Sequence, residues 1–150
     1  GRMMPNTALS TLAQFDSIFL CAVGYPGVPD HVSLWGLLLP IRQTFDQYVN
    51  LRPVKLLPGI RGPLRDKGPE DIDFVCVREN TEGEYSGAGG RVHRGHPEEA
   101  VVQTAIFTRA GTERIIRYAF ETARRQGRSL TSSAISFLPS RFSPQCTPAI

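Results

Sequence analysis

The chain contains, at residues 73–85, the stretch DFVCVRENTEGEY. Its first half is a short apolar run typical of a buried β-strand, and this strand ends at Arg78, with Tyr85 shortly after it. A cation at the edge of a buried core is costly unless it is paired with an anion. Arg78 is therefore predicted to face an anion. The residues leave open whether that anion is a neighbouring glutamate or the carboxylate of a ligand.

The composition is that of a globular domain with one core of ordinary size. Hydrophobic residues make up 41% of the 150 residues and charged residues 21%, which does not favour disorder. The 17 basic and 14 acidic side chains are mostly interspersed and give a net charge of +3. This balance suits an anionic ligand, and we expect no nucleic-acid partner.

Cysteine usage and hydropathy indicate where the protein acts. Cys21 and Cys76 lie in apolar runs, where a free thiol packs like a small hydrophobic side chain, and Cys146 shares no metal-binding spacing with them. Unpaired cysteines favour a reducing cytoplasm. No segment has the length of a membrane span or the order of a signal peptide, so we expect no membrane partner. Because the chain begins at Gly1 rather than methionine, we interpret it as a piece of a longer protein.

The order of apolar runs and breakers predicts an α/β arrangement. Residues 18–23 are continuously apolar and are followed by glycines and prolines, which predicts a buried strand suited to a parallel sheet. Apolar residues at helical spacing predict a helix over 32–45, kinked or starting late because of Pro40. Strands are also predicted over 48–57 and 100–107. The second of these, together with the glycine-rich residues 83–95, predicts an extended arm or hairpin. The last predicted element is a helix from the N-cap Thr108 to Gly127, with Gly111 where a capping box would place Glu.

Arg42, Arg52 and Arg78 are the candidate ligands for an anion. A guanidinium binds a carboxylate through two parallel hydrogen bonds, so three that converge would hold a small diacid firmly. Taken one at a time, each arginine is better explained by an ordinary salt bridge. Tyr85 is a candidate general acid, although most tyrosines pack and hydrogen-bond through the hydroxyl group.

Two other segments are weaker candidates for a binding site. Residues 87–90 are rich in glycine but do not lie between a strand and a helix, so they are a poor dinucleotide-binding motif. His93 and His96 could contact a metal together with nearby glutamates, but in a polar loop we expect them to be solvated. We therefore assign no cofactor-binding residue and no metal ligand within this chain.

Three motifs resemble those of the metal-dependent β-decarboxylating dehydrogenases, the family of isocitrate, isopropylmalate, tartrate and D-malate dehydrogenases. They are Leu-Pro-Ile-Arg at 39–42, Asn-Leu-Arg-Pro at 50–53 and VRENTEGEY at 77–85. Their shared order, and the spacing of the first two arginines, are much more specific than any single motif. The resemblance covers roughly residues 1–132.

The resemblance implies a partial isopropylmalate-dehydrogenase-like α/β fold, with a parallel or mixed sheet, flanking helices and an extended β arm. It implies that Arg42, Arg52 and Arg78 bind the carboxylates of the substrate and that Tyr85 donates a proton to an enolate. The implied reaction is the oxidative decarboxylation of a small 2-hydroxy diacid, with NAD as the oxidant and Mg²⁺ or Mn²⁺ as the metal.

Two residues just before the first motif correspond to the family's specificity region. Ser33 and Trp35 lie there, in a segment that is most similar to the tartrate and D-malate dehydrogenase branch. The alternative for Trp35 is a purely structural role as a core tryptophan.

The resemblance also divides the chain. Residues 1–47 would be part of the first, dinucleotide-side domain, 48–132 part of the second domain for substrate binding and dimerisation, and 133–150 an atypical tail. The resemblance implies that the family's catalytic lysine would stand close to position 135, which holds Ile135 in this chain. It also implies that the family's metal-binding aspartates and adenosine-binding loop lie outside this chain. A truncated or frame-shifted end would explain the tail, which is rich in serine and proline.

Two functions therefore remain open. The first is a fragment of an NAD-dependent oxidative decarboxylase of D-malate or tartrate, expected to be inactive alone. The second is a catalytically inactive relic, or a non-catalytic partner subunit, of the same family. Residues 83–107 have little core of their own to bury, so we expect them to pair with a second copy in a homodimer.

Overall fold

The structure, a computed structural model, describes residues 2–131, so the predicted tail and Ile135 lie outside the described residues. Helices and strands are mixed along the chain, which confirms the α/β class. Both sheets in residues 2–131 are antiparallel, so the parallel pairing expected from the sequence is not found there. The division into domains at residues 47 and 48 stays a prediction. The elements in chain order are α1 (Ala8–Leu12), α2 (Asp30–Ser33), α3 (Leu39–Thr44), β1 (Val49–Lys55), β2 (Asp73–Glu79), β3 (Gly89–Val92), β4 (Ala100–Gln103) and α4 (Arg109–Gln126).

The helices α2 and α3 form one continuous helical segment, because a π-helical turn at Leu34–Leu38 joins them. Pro40 has no amide hydrogen and cannot donate in the regular helical pattern. The amide of Leu39 donates instead to the carbonyl of Leu34, five residues earlier, which widens the turn. The predicted helix over 32–45 is thus confirmed, and the proline widens one turn rather than delaying the start.

The strands β1 and β2 pair antiparallel over their full length, from Val49 opposite Glu79 to Lys55 opposite Asp73. Successive side chains of a strand point to opposite faces, and directly opposed residues share a face. On the face that carries Asp73 and Glu79, α4 is packed, and Arg128 of the following turn binds Asp73 at 2.7 Å. The other face carries Asn50, Arg52 and Arg78.

Three predictions about burial are wrong. Residues 18–23 form no strand, and Phe19 is 93% exposed, because no strand in residues 2–131 pairs with them. The strand β2 is not buried, since only one of its faces is covered and Phe74 is 52% exposed. Cys21 and Cys76 are free but exposed, so neither thiol packs in a core.

The N-terminus of α4 is capped by residues from two places in the chain. The hydroxyl group of Thr108 accepts a hydrogen bond from the amide of Gly111 at 2.9 Å, as the sequence predicts. A capping box would place a glutamate at Gly111, and Glu82 from another part of the chain supplies the carboxylate instead. This carboxylate accepts hydrogen bonds from the Thr108 amide at 2.8 Å and from the Thr108 hydroxyl at 2.5 Å. Gly127 then ends the helix in the left-handed conformation.

The predicted arm is a short hairpin in which β3 pairs antiparallel with β4. The strand predicted over 100–107 is shorter in the structure and ends at Gln103. Gly83, with φ +70° and ψ −128°, continues the pairing at the base of the arm through two backbone hydrogen bonds with Ile106. Within residues 2–131, no helix has both the length and the apolar character needed to cross a membrane.

Candidate anion-binding site

Arg78 lies against Tyr85 instead of a carboxylate. Its Nη2 donates a hydrogen bond to the Tyr85 hydroxyl at 3.4 Å, and its guanidinium carbon is 5.6 Å from the centre of the ring. Among residues 2–131 no carboxylate forms an ion pair with Arg78, and its Nε atom is buried without a hydrogen-bond partner. A buried donor without a partner is costly, and a ligand that accepts a hydrogen bond from it would remove this cost.

Two neighbouring glutamates, Glu79 and Glu82, form hydrogen bonds with other groups and no ion pair with Arg78. Glu79 accepts hydrogen bonds from the amide and hydroxyl of Thr81, at 2.9 and 2.7 Å, and from the amide of Glu82 at 2.7 Å. Glu82 binds Thr108 at the start of α4. Both carboxylates therefore hold the turn between Arg78 and Tyr85, and neither pairs with the guanidinium.

Arg42 shares one electrostatic environment with the other predicted site residues. Partial burial lowers the pKa of Arg42 below its usual value, and the positive charges of Arg78 and Arg52 lower it further, whereas Tyr85 acts in the opposite direction. Arginine nevertheless stays protonated in proteins. The structure therefore brings Arg42, Arg52, Arg78 and Tyr85 together, and the mutual repulsion of three cations favours an anion between them.

Arg52 is exposed, and amide side chains orient it. Its Nε donates to the side-chain oxygen of Asn50 at 3.0 Å, and Asn50 in turn donates to Asn80 at 3.3 Å. Asn80 is buried and donates to the carbonyl of Gln47 at 3.1 Å. This relay was not predicted from the sequence, although both asparagines lie inside the quoted motifs.

The helix that carries Arg42 also contacts the segment around Tyr85. Gln43 donates to the backbone carbonyl of Tyr85 at 3.1 Å. The ring of Trp35 lies against Gly87, where an added Cβ atom would be only 3.1 Å from the ring. Trp35 is 45% exposed, so it is not a core tryptophan, and Ser33 lies half-buried at the end of α2. The specificity role of Ser33 and Trp35 stays a prediction.

An open cleft of about 540 Å³ lies where α3 meets β1. Its polar lining includes the carboxylate-bearing Asp46 as well as Arg42, Gln47, Asn50 and Asn80. Arg52, Arg78 and Tyr85 do not line it. The cleft therefore adjoins the arginine cluster on the Arg42 side and is large enough for a small organic anion.

The described residues do not fit a metal ion, since residues 2–131 contain no group of three or more His, Cys, Asp or Glu side chains that could hold one. What the site offers is positive charge, planar donors and a phenol group. Such an arrangement can bind carboxylates and donate a proton.

Comparisons with known proteins agree with the geometry. The family described as isocitrate/isopropylmalate dehydrogenase matches residues 1–134. The chain is 62% identical to a probable tartrate dehydrogenase/decarboxylase of Agrobacterium vitis over 130 residues, which cover 87% of this chain and 36% of that protein. It is 57% identical to the decarboxylating D-malate dehydrogenase of Escherichia coli strain K12 over 135 residues, covering 89% of this chain and 37% of that protein.

A solved structure shows the same fold. The crystal structure of isocitrate dehydrogenase from Methylococcus capsulatus matches with a TM-score of 0.59 and 29% sequence identity, covering 84% of this chain and 35% of that one. The chain thus spans little more than a third of the length of these relatives. On this evidence the chain belongs to the isocitrate/isopropylmalate dehydrogenase family.

Proposed function

We propose that this chain carries the carboxylate-binding part of an oxidative decarboxylase that acts on a small 2-hydroxy diacid, D-malate or tartrate. One observation carries the proposal: Arg42, Arg52 and Arg78 lie together, with Arg78 bonded to Tyr85, and none of the three forms an ion pair with a carboxylate of residues 2–131. The names of the relatives from Agrobacterium vitis and Escherichia coli support the choice of substrates.

The arginines bind and orient the diacid. Arg78 and Arg42 are partly buried, so their bonds to a carboxylate form away from bulk water and are strengthened. Arg52 is exposed and oriented by Asn50, and its proposed role is to contact the second carboxylate. A dianion also removes the repulsion among the three cations, which a neutral ligand cannot do.

Tyr85 supplies the proton in this proposal. Because Arg78 donates to the Tyr85 oxygen, the hydroxyl hydrogen is free to point towards a bound ligand. After loss of carbon dioxide, the phenol would donate this proton to the enolate carbon of the product. Trp35, against Gly87 two residues further on, is proposed to limit the size of the diacid.

The cofactors belong to the proposed activity of the whole protein. NAD would accept the hydride, and Mg²⁺ or Mn²⁺ would polarise the 2-oxygen. Since residues 2–131 provide no metal donor set, we assign no ligand of either group to them. The two free, exposed cysteines in this range suit a reducing compartment, so we propose that the protein acts in the cytoplasm.

The experiment that tests the proposal is isothermal titration calorimetry of the 150-residue chain with D-malate and tartrate. D-Lactate is the matched control, because it keeps the 2-hydroxy acid and lacks the second carboxylate. Clear binding of a diacid with much weaker binding of D-lactate supports the proposal. Equal affinity for D-malate and D-lactate, or no binding of either diacid by a folded chain, contradicts it.

The same protein also tests whether the chain is a complete catalyst by itself. The arginine cluster favours a binding role, whereas residues 2–131 hold no donor set for a metal. We expect no reduction of NAD when D-malate and Mn²⁺ are added to the chain alone. Measurable malate-dependent reduction by the pure chain would show that it is a complete catalyst.

A further inference from the structure

Arg114 of α4 contacts the two segments that carry the arginine cluster. Its Nη1 donates to both carboxylate oxygens of Asp46 at 2.9 Å, and its Nη2 donates to the hydroxyl oxygen of Thr81 at 2.9 Å. The guanidinium lies 4.4 Å from the centre of the Tyr48 ring, and Nη2 is 3.8 Å from the carboxylate of Glu79. One side chain on α4 therefore joins the end of α3 to the turn after β2.

The contact between Arg114 and Asp46 holds the turn that follows Arg42. Asp46 follows the end of α3 in the left-handed conformation, with φ +44°, so its backbone is held in an uncommon geometry. In the same turn the amide of Gln47 donates to the carbonyl of Arg42 at 2.8 Å. An anchor on Asp46 thus fixes the C-terminal turn of the helix that carries Arg42.

The contact with Thr81 is coupled to Arg78 and Tyr85. Thr81 lies between them and is bound through its amide and hydroxyl to Glu79, the residue next to Arg78. Glu82, the next residue, is held at the start of α4 by Thr108. Both attachments come from the same helix, so α4 holds the turn at two points.

We propose that Arg114 is a positioning residue for the anion-binding site, keeping Arg42 at a fixed distance from Arg78 and Tyr85. The inference rests on the proposed function, because it concerns binding of the same diacid. Arg42 and Arg78 repel each other, so a framework must hold them together until an anion binds. Arg114 is part of that framework.

An ordinary surface salt bridge does not account for these contacts. An exposed ion pair contributes little and is screened by salt. The Arg114 side chain is only 32% exposed, binds two oxygens of Asp46 and the hydroxyl of Thr81, and stacks on Tyr48. Arg117 offers the contrast on the same helix, since it is 66% exposed and binds only Glu113, four residues earlier.

The test compares Arg114→Gln with the matched control Arg117→Gln. Binding of D-malate by calorimetry should weaken about tenfold in R114Q and stay unchanged in R117Q, because loss of positioning by about an ångström has effects of this size or larger. Arg114→Lys keeps the charge without the planar donors and should give an intermediate loss. It also serves as the second variant if R114Q does not fold.

A double-variant cycle separates positioning from general stability. Asp46→Asn should reproduce most of the loss of affinity, and the combination with R114Q should add little to it, because both remove one link. Additive losses from D46N and R114Q, or unchanged affinity in folded R114Q or R114K, would overturn the inference.

The fluorescence of Trp35 provides a readout that does not require a ligand. It is the only tryptophan of the chain, and its ring lies against Gly87, close to Tyr85. Release of the turn should shift its emission to the red in R114Q and not in R117Q. If the wild-type chain binds no diacid, the proposed function fails. The emission then still tests Arg114: a shift supports positioning, and identical spectra for R114Q and wild type overturn it.

Discussion

The Arg78 guanidinium and the Tyr85 hydroxyl are 3.4 Å apart, and Glu79 and Glu82, which lie between them in sequence, hold the turn instead of pairing with the arginine. A motif that is dense in opposite charges thus keeps its cation unpaired. The arrangement separates two tasks, since carboxylates build the turn and the guanidinium stays available for a ligand.

The exposed arm leads to a prediction about assembly. Val101 and Val102 point to opposite faces of the β3–β4 hairpin and are 63% and 61% exposed. If residues 83–107 pair with a second copy, one of these faces becomes buried. Val101→Lys or Val102→Lys should then convert a dimer to a monomer by light scattering, because burying an unpaired charge is costly.

The matched control for the arm is Leu64→Lys, which adds the same charge at a side chain that is 60% exposed in a loop. It should leave the dimer intact. A wild-type chain that is monomeric at high concentration, or a dimer that survives both valine substitutions, would show that the arm is not the interface.

The cap of α4 gives a prediction about stability. A Cβ atom at Gly111 would lie 2.3 Å from the carboxylate of Glu82, so Gly111→Ala should displace Glu82 from Thr108. Alanine has a higher helix propensity than glycine, which stabilises the helix. Loss of the hydrogen bonds between Glu82 and Thr108 outweighs this gain, so the protein is destabilised by about 1 kcal/mol. Denaturant-induced unfolding measures the free energy of unfolding of each variant.

Gly90→Ala is the control for this substitution, since nothing lies within 4 Å of a Cβ atom built there. It should change the free energy of unfolding only slightly. A G111A chain that is more stable than wild type would mean that Glu82 does not act as the missing member of the capping box.

Much of this fold and site could be predicted from local signals. The strand that ends at Arg78, the helix interrupted by Pro40 and the cap at Thr108 depend on residues close in sequence, and all three are present. The prediction of a strand at residues 18–23 was wrong, because an apolar run forms a strand only when a partner strand is available.

Contacts between distant segments could not be predicted in the same way. Glu82 binds Thr108, and Arg114 binds Asp46. These pairs are 26 and 68 residues apart in sequence, and hydrophobic periodicity carries no information about such contacts. Gly111 in the place of a capping-box glutamate was the one signal that a partner had to come from elsewhere in the chain.

The ion pairs at Asp73 give a prediction about pH. Hydrogen bonds from Arg128 and Lys55 lower the pKa of Asp73 below its usual value. Its contribution to stability is therefore complete above the unfolded-state pKa, about 3.9, and is lost as the pH falls through the lower folded-state pKa. Asp73→Asn should lower Tm at neutral pH, and the difference from wild type should shrink in strongly acidic buffer and in high salt.

Asp16→Asn is the control for the pH series, because within residues 2–131 Asp16 forms no ion pair. It should change Tm little at any pH. A difference between D73N and wild type that is the same in neutral and strongly acidic buffer would assign the effect to packing rather than charge.

Arg78→Lys tests whether Arg78 binds the carboxylate of a diacid. Lysine keeps the charge but loses the paired donors, so D-malate or tartrate binding should weaken by about 1.5 kcal/mol, roughly tenfold in Kd. Tm without ligand should stay nearly unchanged, since Arg78 forms no ion pair within residues 2–131. Arg61→Lys, an exposed loop substitution, is the control. Calorimetry on folded R78K that shows wild-type affinity, or a large loss of Tm without ligand, would contradict the account and make Arg78 a structural residue.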